Sequence, residues 1–372
     1  MKILLLLSRC DQTGMTTHTL DLGRALVSLG HRVTLLVGRR KKNLPESEIL
    51  YQKFLEVGVQ VVSFREAINN SLHLKIISFL DVLFFIIWHR FDIIHIQSPY
   101  LSFMPWLLHK KFVSTLHVND LIRCFYYKNA THLIAISRET KDYARRIFGY
   151  NDKDITIVNH GVSSSFATLL SAEQKNEEKL KRNLPVDKLI IGLVGSIEKR
   201  KGHDVLLNAI ALLPKELLAT IHIVFLGSSK DGKTKEWLDT LIEKTNMEGR
   251  VSRFEYQSSD IFYKLFDVFV LPSRLEGFPV VVIEAMSSGC CCVRSNVEGA
   301  YDQIDDGKTG FLFENENENV EQLSSILKFL IENPDRRTEV AKAGREKALK
   351  EFTSEVMAKK TIDVYKKVIN EY

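Results

Sequence analysis

The sequence predicts an α/β protein made of two Rossmann-like domains with parallel sheets that face each other across an interdomain cleft. Three observations carry this prediction. Short apolar runs alternate with amphipathic segments, the alternation begins again after a polar stretch, and 372 residues suit two domains of ordinary size. Hydrophobic residues form 45% of the chain, which is enough for each domain to bury its own core and excludes a disordered chain.

The first series of elements opens with KILLLL at 2–7, an apolar run that predicts a strand buried on both faces. A polar loop with Gly14 follows, and residues 16–30 have apolar side chains at helical spacing before a terminal glycine. HRVTLLVG completes a strand–helix–strand unit with an expected right-handed crossover. Later strands are expected in VQVVSF, FDIIHIQ, FVSTLHV, THLIAIS and ITIVNHGV, with a strongly apolar helix at 74–90.

The second series follows a polar, charged stretch at 163–188, which we interpret as the interdomain linker. Strands are expected in LIIGLVGS, IHIVFLG, VSRFEY, VFVLPS and CCVRS, and helices at 203–213, 235–244, 260–266, from Val280, and at 320–331. The asparagines of ENENENV should cap the last of these helices. The predicted domains are 1–165 and 166–353, and a C-terminal helix at 354–372 should pack back on the first domain.

Charge and cysteine content exclude several classes of protein. A net charge of +5 is too small to indicate a nucleic-acid partner, although a mildly basic surface suits anionic lipid or phosphorylated ligands. Three of the five cysteines are adjacent, at 290–292, and neighbouring side chains on a strand point to opposite faces. We therefore predict buried, reduced cysteines and neither a metal site nor a disulfide framework.

One segment combines residues suited to bind a sugar nucleotide. LPSRLEGFPVVVIEAMSSG, at 271–289, predicts a strand end, a loop with Glu276 and Gly277, and a helix that begins near Pro279. An ionised carboxylate accepts hydrogen bonds from two vicinal hydroxyls, and the N–H groups of a helix N-terminus suit a diphosphate. The helix dipole alone would explain Glu276, but it does not explain Glu284, which apolar residues surround.

LEGFPVVVIEAMSSG resembles the signature of the family-4 retaining glycosyltransferases, in which two glutamates are separated by seven residues. The resemblance implies the GT-B fold, two facing Rossmann-like domains, and it extends over nearly the whole chain. Its other matches are the Gly14 loop, TLHVND around His117, VNHGV at Gly161, VGSIEKRKGHDVLL from Val194 and VEGAYDQIDDGKTGFLF from Val297.

The resemblance implies a role for each matching residue. Glu284 matches the glutamate that holds the nucleotide ribose, Glu276 the one near the donor sugar and diphosphate, and Lys201 the lysine that grips the donor phosphates. His117 matches a histidine that contacts the transferred sugar. The implied catalytic residues are Glu276, His117 and Lys201. The implied donor-binding residues are Gly14, Met15, Gly195, Arg200, Lys201, Gly277, Phe278, Pro279 and Glu284.

Two of these residues also have structural interpretations. Lys201 lies in KRK, which would fit a solvated basic loop, although KRKG follows a buried strand and opens a helix. A lone histidine such as His117 is more often structural, although its place at the carboxyl end of a strand favours a ligand contact. Both interpretations stay open from the sequence.

The phosphate-binding loop departs from the family pattern. Family members commonly have an arginine one or three positions after the glycine that matches Gly195, and here Ser196 and Glu198 stand at those positions. Lys199 or Arg200 would then supply the second phosphate contact. Elsewhere, the family's glycine pair is reduced to Glu-Gly-Ala at 298–300, an aspartate replaces a glutamate at 302, and a histidine replaces the turn asparagine at 160.

No metal site is indicated. Asp152–Asp154 imitates the metal-binding Asp-x-Asp motif of the other large glycosyltransferase fold, but that motif directly follows a strand, whereas FGYN precedes this segment. We interpret the segment as a polar loop. A GxGxxG after a strand, a Walker lysine loop and HExxH are absent from the sequence. We therefore expect neither a cofactor nor a metal requirement, since the sugar nucleotide would be a substrate.

The function implied by the resemblance is retaining transfer of a hexose from a nucleotide diphosphate sugar to a saccharide or lipid-linked saccharide. A UDP-sugar is favoured over a GDP-sugar, and the product would belong to cell-surface polysaccharide or glycolipid synthesis. Two alternatives stay open. A sugar-nucleotide 2-epimerase of the same fold would need a further carboxylate cluster, which we do not find. The second alternative is a non-catalytic sugar-nucleotide-binding partner of another transferase. The departures at Ser196 and Ala300 leave it open, although four retained residues argue against it, Glu276, Glu284, Lys201 and His117.

The expected location is the cytoplasm. The N-terminus begins like a signal peptide, but its apolar run ends at Ser8 without a small-residue cleavage site. The apolar segment at 74–90 is interrupted by charged residues and too short to span a bilayer, so we interpret it as a helix packed on a sheet. Attachment to the anionic inner face of the plasma membrane stays open. The residues that suggest it are Phe84, Phe85, Trp88 and the basic pairs at 39–40, 41–42 and 110–111.

Overall fold

The computed structural model describes residues 1–11, 13–39, 45–65, 72–119, 121–229, 231–255, 257–315 and 319–370. The chain divides into two compact units, residues 1–161 with 353–372, and residues 162–352. Each unit contains one parallel sheet covered by helices, which confirms the predicted α/β class with two Rossmann-like domains. The N-terminal segment of the first unit ends at Gly161, slightly before the predicted boundary at 165.

The sheet of the first unit has seven parallel strands in the order β3-β2-β1-β4-β5-β6-β7. These strands are β1 Lys2–Leu7, β2 Arg32–Arg39, β3 Gln60–Arg65, β4 Ile93–Ile96, β5 Phe112–Leu116, β6 His132–Ala135 and β7 Ile155–Ile157. The helices between them are α1 Gly14–Ser28, α2 Pro45–Glu56, α3 Leu72–Trp88, α4 Phe103–Leu107 and α5 Arg138–Tyr143. Strand β1 lies between β2 and β4, with Leu5 opposite Leu35 and His95.

Helix α1 begins two residues earlier than the sequence pattern suggests. The Thr13 side chain caps it by accepting a hydrogen bond from the Thr16 amide at 3.4 Å. Gly14 and Met15 therefore lie in the first turn of the helix, not in the preceding loop as predicted. Gly30 follows the helix with φ +83°, as expected for a glycine that terminates it.

The sheet of the second unit has six parallel strands in the order β10-β9-β8-β11-β12-β13. They are β8 Leu189–Val194, β9 Ile221–Leu226, β10 Val251–Phe254, β11 Val268–Leu271, β12 Cys291–Ser295 and β13 Phe311–Phe313. Its helices are α6 Ala172–Lys181, α7 His203–Ala211, α8 Lys215–Leu218, α9 Gly232–Lys244, α10 Asp260–Leu265, α11 Val280–Ser287, α12 Ala300–Gln303, α13 Val320–Glu332 and α14 Pro334–Glu351. Asn319 caps α13 through its side chain, which confirms the predicted cap.

The linker prediction for 163–188 is wrong, because this stretch belongs to the second unit. It forms a 3₁₀ turn at Ser164–Ala167 and helix α6. The Lys175 ammonium lies 2.8 Å from an Asp267 carboxylate oxygen, and the aliphatic part of Lys179 is buried. The stretch has the composition of a linker because charged side chains, and not a row of apolar ones, attach helix α6 to the second unit.

The C-terminal helix, α15 Ser354–Asn370, is part of the first unit, and residues 371–372 of the predicted helix lie outside the described residues. Met357, Ala358 and Tyr365 are buried in the same apolar core as Leu5 of β1. The amphipathic pattern of α15 therefore reflects packing on the N-terminal sheet, although the helix follows the whole second unit in sequence.

The three adjacent cysteines are buried free thiols. Burial raises the pKa of the Cys291 thiol to about 12 and also raises the pKa values of Cys290 and Cys292. These groups stay protonated at neutral pH, as expected for cysteines that act as small apolar residues in and beside β12.

We predict that Gly192→Ala destabilises the second unit by about 1–3 kcal/mol, because a Cβ there would lie 2.2 Å from the ring of Phe266. Gly232→Ala is the matched control, since a Cβ at Gly232 would have no described atom within 4 Å. Urea unfolding should show a lower midpoint for the first variant and an unchanged or slightly higher midpoint for the second. Equal midpoints would contradict this packing.

Candidate functional site

Two loops leave the carboxyl edge of the second sheet side by side. One follows β8 and runs from Gly195 to the start of α7, and the other follows β11 and runs to the start of α11. Strands β8 and β11 are hydrogen-bonded neighbours, with Val268 opposite Ile191. The loops are adjacent for this reason, and ligands of parallel α/β sheets bind at this edge.

The two loops are joined by an ion pair between Lys201 and Glu276. The Lys201 ammonium lies 2.6 Å from Oε1 of Glu276, and the two side chains are only 11% and 9% exposed. Arg200 adds a longer contact, with its guanidinium 3.5 Å from the same oxygen and 3.1 Å from the Leu275 carbonyl oxygen. Three of the residues predicted from the sequence therefore lie in one charged cluster.

The backbone of the first loop requires glycine at the position that follows Lys201. Gly202 has φ +75°, and a Cβ there would lie 1.9 Å from the carbonyl oxygen of Pro272 in the second loop. Lys201 itself ends a 3₁₀ turn, Lys199–Lys201, and its side chain extends beside Gly195. The close approach of the two backbones thus sets the distance between Lys201 and Glu276.

A second ion pair, which joins the second loop to helix α7, was missed by the sequence analysis. The Arg274 guanidinium binds both carboxylate oxygens of Asp204, at 3.0 and 2.9 Å, and the Arg274 amide donates to the Arg200 carbonyl oxygen at 2.8 Å. Its bidentate geometry fixes the second loop against the first turn of α7. Both residues lie in segments already singled out, but nothing in the sequence indicated that they pair.

The residues that replace the family's arginine interact with each other. Ser196 donates a hydrogen bond to Glu198 at 2.8 Å, and the Arg200 guanidinium lies 2.9 Å from the same carboxylate oxygen. Arg200 therefore connects Glu198 with Glu276. Of the two basic residues considered as substitutes for the missing arginine, Arg200 is the one in contact with Glu276.

Glu284 lies in the second turn of α11 and is 8% exposed. Oε2 of Glu284 accepts a hydrogen bond from the buried Tyr263 hydroxyl of α10 at 2.8 Å. Burial, together with the nearby Glu284 carboxylate, raises the pKa of Tyr263 well above its usual value, so the hydroxyl remains a donor. The sequence analysis missed Tyr263, because no pattern connects two residues on different helices.

The loop before α11 is held by its neighbours. Phe278 is buried with its ring 5.7 Å from that of Phe352, and the Pro279 carbonyl oxygen accepts a hydrogen bond from Gln303 at 2.9 Å. A Cβ at Gly299, where φ is +74°, would lie 2.4 Å from the Gly277 carbonyl oxygen. The side chain of Phe278 is therefore part of the packing of this loop, and the predicted ligand contacts of Gly277, Phe278 and Pro279 stay predictions.

In the first unit, His117 directly follows β5 and hydrogen-bonds through Nε2 to Oε1 of Gln97 at 2.9 Å. Because the amide oxygen only accepts, Nε2 carries the proton and Nδ1 keeps a lone pair. Nδ1 is buried and has no hydrogen-bond partner among the described residues. His95 lies next in this network, hydrogen-bonded to Thr115 and to Tyr365 of α15 at 2.7 Å each.

His18 of α1 and His160 complete a buried histidine cluster with His117. The Nδ1 atoms of His18 and His160 are 2.7 Å apart, and the ring centroids of His18 and His117 are 4.9 Å apart. Burial lowers the pKa values of His18 and His117 well below the usual value, and lowers those of His95 and His160 to about 3. The sequence analysis missed His18 and His95.

Gly14 and Met15 lie in the first turn of α1, a few residues before His18 of the cluster. Among the described residues, none lies within 4 Å of a Cβ placed at Gly14, so no contact with them requires glycine there. The implied role of Gly14 in donor binding therefore stays a prediction. Met15 is half-buried, and its sulfur lies 3.9 Å from the Ser98 hydroxyl.

Asp152–Asp154, which we predicted as a polar loop, forms a single 3₁₀ turn without buried residues just before strand β7. Asp152 pairs with Lys141 at 2.9 Å and with Arg145 at 3.6 Å. These ion pairs account for the acidic residue at the start of the turn. Within the described ranges, no group of three histidine, cysteine or acidic side chains has the geometry to hold a metal ion.

Comparisons with known proteins agree across both units. Residues 12–166 match the family described as Glycosyltransferase Family 4, and residues 174–347 match Glycosyl transferases group 1. The capsular polysaccharide biosynthesis glycosyltransferase CapM of Staphylococcus aureus is 27% identical over 245 residues, which cover 65% of this chain and 63% of CapM. The chain thus spans less than two thirds of the length of this relative.

Solved structures with the same fold include a glycosyltransferase from Rickettsia africae, with a TM-score of 0.85, 18% identity, and coverage of 100% of this chain and 99% of that one. Anabaena Alr3699/HepE in complex with UDP and glucose has a TM-score of 0.81 and 16% identity, and the match covers 98% of this chain and 99% of that one. At these identities the structures show a common GT-B fold.

We predict that acid destabilises the first unit through its buried histidines. The unfolded chain binds protons on these histidines near pH 6.5, whereas His95 and His160 in the folded state do so only near pH 3. The contribution of these histidines to the free energy of unfolding is therefore fully present above pH 6.5. It declines as the pH falls below this value, by about 1.4 kcal/mol per pH unit for each such histidine. Urea unfolding at pH 7.5 and 5.5 measures this loss.

His160→Asn should reduce this pH dependence, and His89→Asn, which changes an exposed histidine, serves as the control. An identical loss of stability in wild type and His160→Asn would show that the buried cluster is not responsible.

Proposed function

Because the first half of this chain belongs to Glycosyltransferase Family 4 and the second half to Glycosyl transferases group 1, we propose that the chain is a retaining glycosyltransferase. The reaction would move a hexose from a nucleotide diphosphate sugar to a saccharide acceptor. The observation that carries this proposal is the cluster of Lys201, Arg200 and Glu276 beside the helix that holds Glu284. It combines positive charge for a diphosphate with a buried carboxylate for a ribose.

In the proposed reaction, Lys201 and Arg200 stabilise the negative charge that develops on the departing diphosphate. A lysine ammonium has three donors, so Lys201 can bind phosphate oxygens while one N–H still reaches Glu276. Glu276 would hold the ammonium in place and contact the donor sugar. The basic residues would take the part that a metal ion plays in other transferases, and we propose that neither a metal nor a cofactor is required.

Glu284 would bind the nucleotide through its ribose. The hydrogen bond from Tyr263 would hold the carboxylate in position for the ribose hydroxyls. In the first unit, we propose that Nδ1 of His117 accepts a hydrogen bond from a hydroxyl of the transferred sugar, because this buried nitrogen has a lone pair and no partner in the described part of the chain.

We propose a UDP-sugar as donor, because a relative of the same fold was solved in complex with UDP and glucose. The proposed acceptor is a saccharide or lipid-linked saccharide, and CapM, a protein of capsular polysaccharide biosynthesis, supports a role in cell-surface polysaccharide synthesis. The reaction would take place in the cytoplasm, without a nucleic-acid partner.

The direct test incubates the protein with a panel of UDP- and GDP-sugars, with and without oligosaccharide acceptors, and measures nucleotide release. The proposal expects release from one donor class and transfer with retained anomeric configuration. A sugar nucleotide recovered as its 2-epimer would indicate the epimerase. Tight binding of a donor without any release or transfer would indicate a non-catalytic binding protein. Either of these outcomes would overturn the proposal.

We predict that Glu284→Ala weakens binding of UDP by about 1.5–3 kcal/mol, because it removes charge-assisted hydrogen bonds to the ribose. Tyr263→Phe should weaken binding less, since the carboxylate remains but loses its orienting partner. Calorimetry with free UDP measures both, and Glu321→Ala on an exposed helix surface is the control. Unchanged affinity in a folded Glu284→Ala protein would exclude the ribose contact.

Lys201→Ala should lower kcat about a hundredfold or more and raise the donor KM by a smaller factor, because charge on the leaving oxygen grows in the transition state. Arg200→Ala should show a smaller defect of the same kind. Lys199→Ala is the neighbouring control and should have little effect. Near-normal turnover of Lys201→Ala would refute the assignment of the phosphate contact.

Activity should persist in EDTA, since the proposed charge stabilisation comes from side chains and helix N–H groups. The measurement compares initial rates before and after dialysis against chelator. Loss of activity that manganese restores would contradict metal independence.

A further inference from the structure

Exposed apolar side chains are concentrated on one part of the first unit. Among the described residues, more than half of the large hydrophobic side chains that are exposed lie between Ile76 and Tyr126. Soluble proteins rarely leave a contiguous patch of this kind uncovered, and such patches mark interaction sites.

Helix α3 is apolar on two sides. Its inner side packs on the sheet through Val82 and Ile86, which are buried, and Phe85 packs against the same core. For this side, the prediction of a helix packed on a sheet is confirmed. Its outer side carries a second row of large apolar residues, which we call the outer stripe. The outer stripe consists of Ile76, Leu80, Phe84, Ile87 and Trp88.

Helix α3 also contacts an aromatic cluster, made of Phe103, Trp106, Phe125 and Tyr126, through Phe79. The ring of Phe103 is the centre of this cluster, 5.3 Å from Phe125 and 5.7 Å from Trp106, and it lies 6.1 Å from the ring of Phe79 in α3. Trp88 is 76% exposed and Phe125 is 69% exposed. Two of the three tryptophans of the chain therefore lie on this surface.

Positive charge accompanies the apolar surface. The Lys128 ammonium lies 4.5 Å from the ring centroid of Trp106 and 4.8 Å from that of Phe125. Residues 72–130 contain six lysines and arginines against three aspartates, and one of these, Asp81, is paired with Arg65 at 2.6 Å. Arg90, Lys110 and Arg123 are exposed. Of the basic pairs noted in the sequence, residues 40–42 lie outside the described residues.

We propose that the outer stripe and the aromatic cluster bind the surface of an anionic lipid bilayer. Tryptophan and tyrosine prefer the boundary between headgroups and acyl chains, and the accompanying lysines and arginines suit negatively charged headgroups. Among the described helices, none has the length and hydropathy to cross a bilayer, so the contact would be made by side chains inserted from one face. A second copy of this chain fits the surface less well, because both copies would bring the same positive charge to the contact.

The test floats the full-length protein with vesicles of phosphatidylcholine alone or with 30% phosphatidylglycerol. We expect binding to the anionic vesicles, a weaker signal at 0.5 M salt, and a partition coefficient about tenfold or more lower for Trp88→Ser/Phe125→Ser. The matched control, Leu180→Ser/Leu212→Ser, changes two exposed apolar residues of the second unit and should bind as wild type. Lys110→Glu/Arg123→Glu should bind less than the control Lys215→Glu/Lys308→Glu.

Quenching of tryptophan fluorescence by brominated lipid provides a second measurement. If brominated lipid quenches the fluorescence of wild type, and quenches that of Trp88→Ser less, the result supports insertion of this surface into the bilayer. Equal flotation on neutral and anionic vesicles, no flotation, or flotation unchanged in both surface variants would overturn the proposal. A dimer that Trp88→Ser/Phe125→Ser converts to monomer, with no vesicle binding by wild type, would show that a second copy covers the surface. None of these readouts depends on the proposed transfer reaction, so each proposal can fail without the other.

Discussion

The ion pair between Lys201 and Glu276 is the interaction on which the site of the second unit depends. It exists because two neighbouring parallel strands end at the same edge, and because glycine at 202 lets the backbones of the two following loops touch. The bidentate pair of Arg274 with Asp204 holds the same two loops together a few residues away. Removing one partner of a nearly buried ion pair leaves the other charge without its counter-ion, which is energetically costly. Substitution of either residue also changes the net charge of the two loops.

The first unit positions His117 by a different means, a chain of neutral hydrogen bonds. Tyr365 of the C-terminal helix, His95, Gln97 and His117 form this chain, and its last contact, from Nε2 of His117 to the amide oxygen of Gln97, leaves the lone pair on Nδ1 of His117. Low pKa values are a consequence of the same burial, because imidazolium has no compensating charge there. The last helix of the chain therefore contributes both to the core of the first unit and, through His95, to the hydrogen-bond network that contains a candidate site residue.

The sequence predicted most of the sheets, because buried parallel strands are continuous apolar runs, and it selected Lys201, Glu276 and Glu284 through a local signature. It did not reveal Tyr263, Arg274 or Gln97, whose contacts join elements that are far apart in sequence. It misjudged 163–188, because a helix held by charged side chains has the composition of a linker. It favoured a packed helix at 74–90 and left membrane attachment open, since hydropathy does not distinguish an inner face from an uncovered outer one.

The most direct test of this account is a double-mutant cycle on UDP binding, measured by calorimetry for wild type, Lys201→Met, Glu276→Gln and the double variant. We expect Lys201→Met to weaken UDP binding about tenfold or more. We also expect the effect of Glu276→Gln on UDP binding to differ by about 1 kcal/mol or more between the wild-type background and the Lys201→Met background. Equal UDP affinity in wild type and a folded Lys201→Met protein, with no coupling between the two positions, would contradict these expectations.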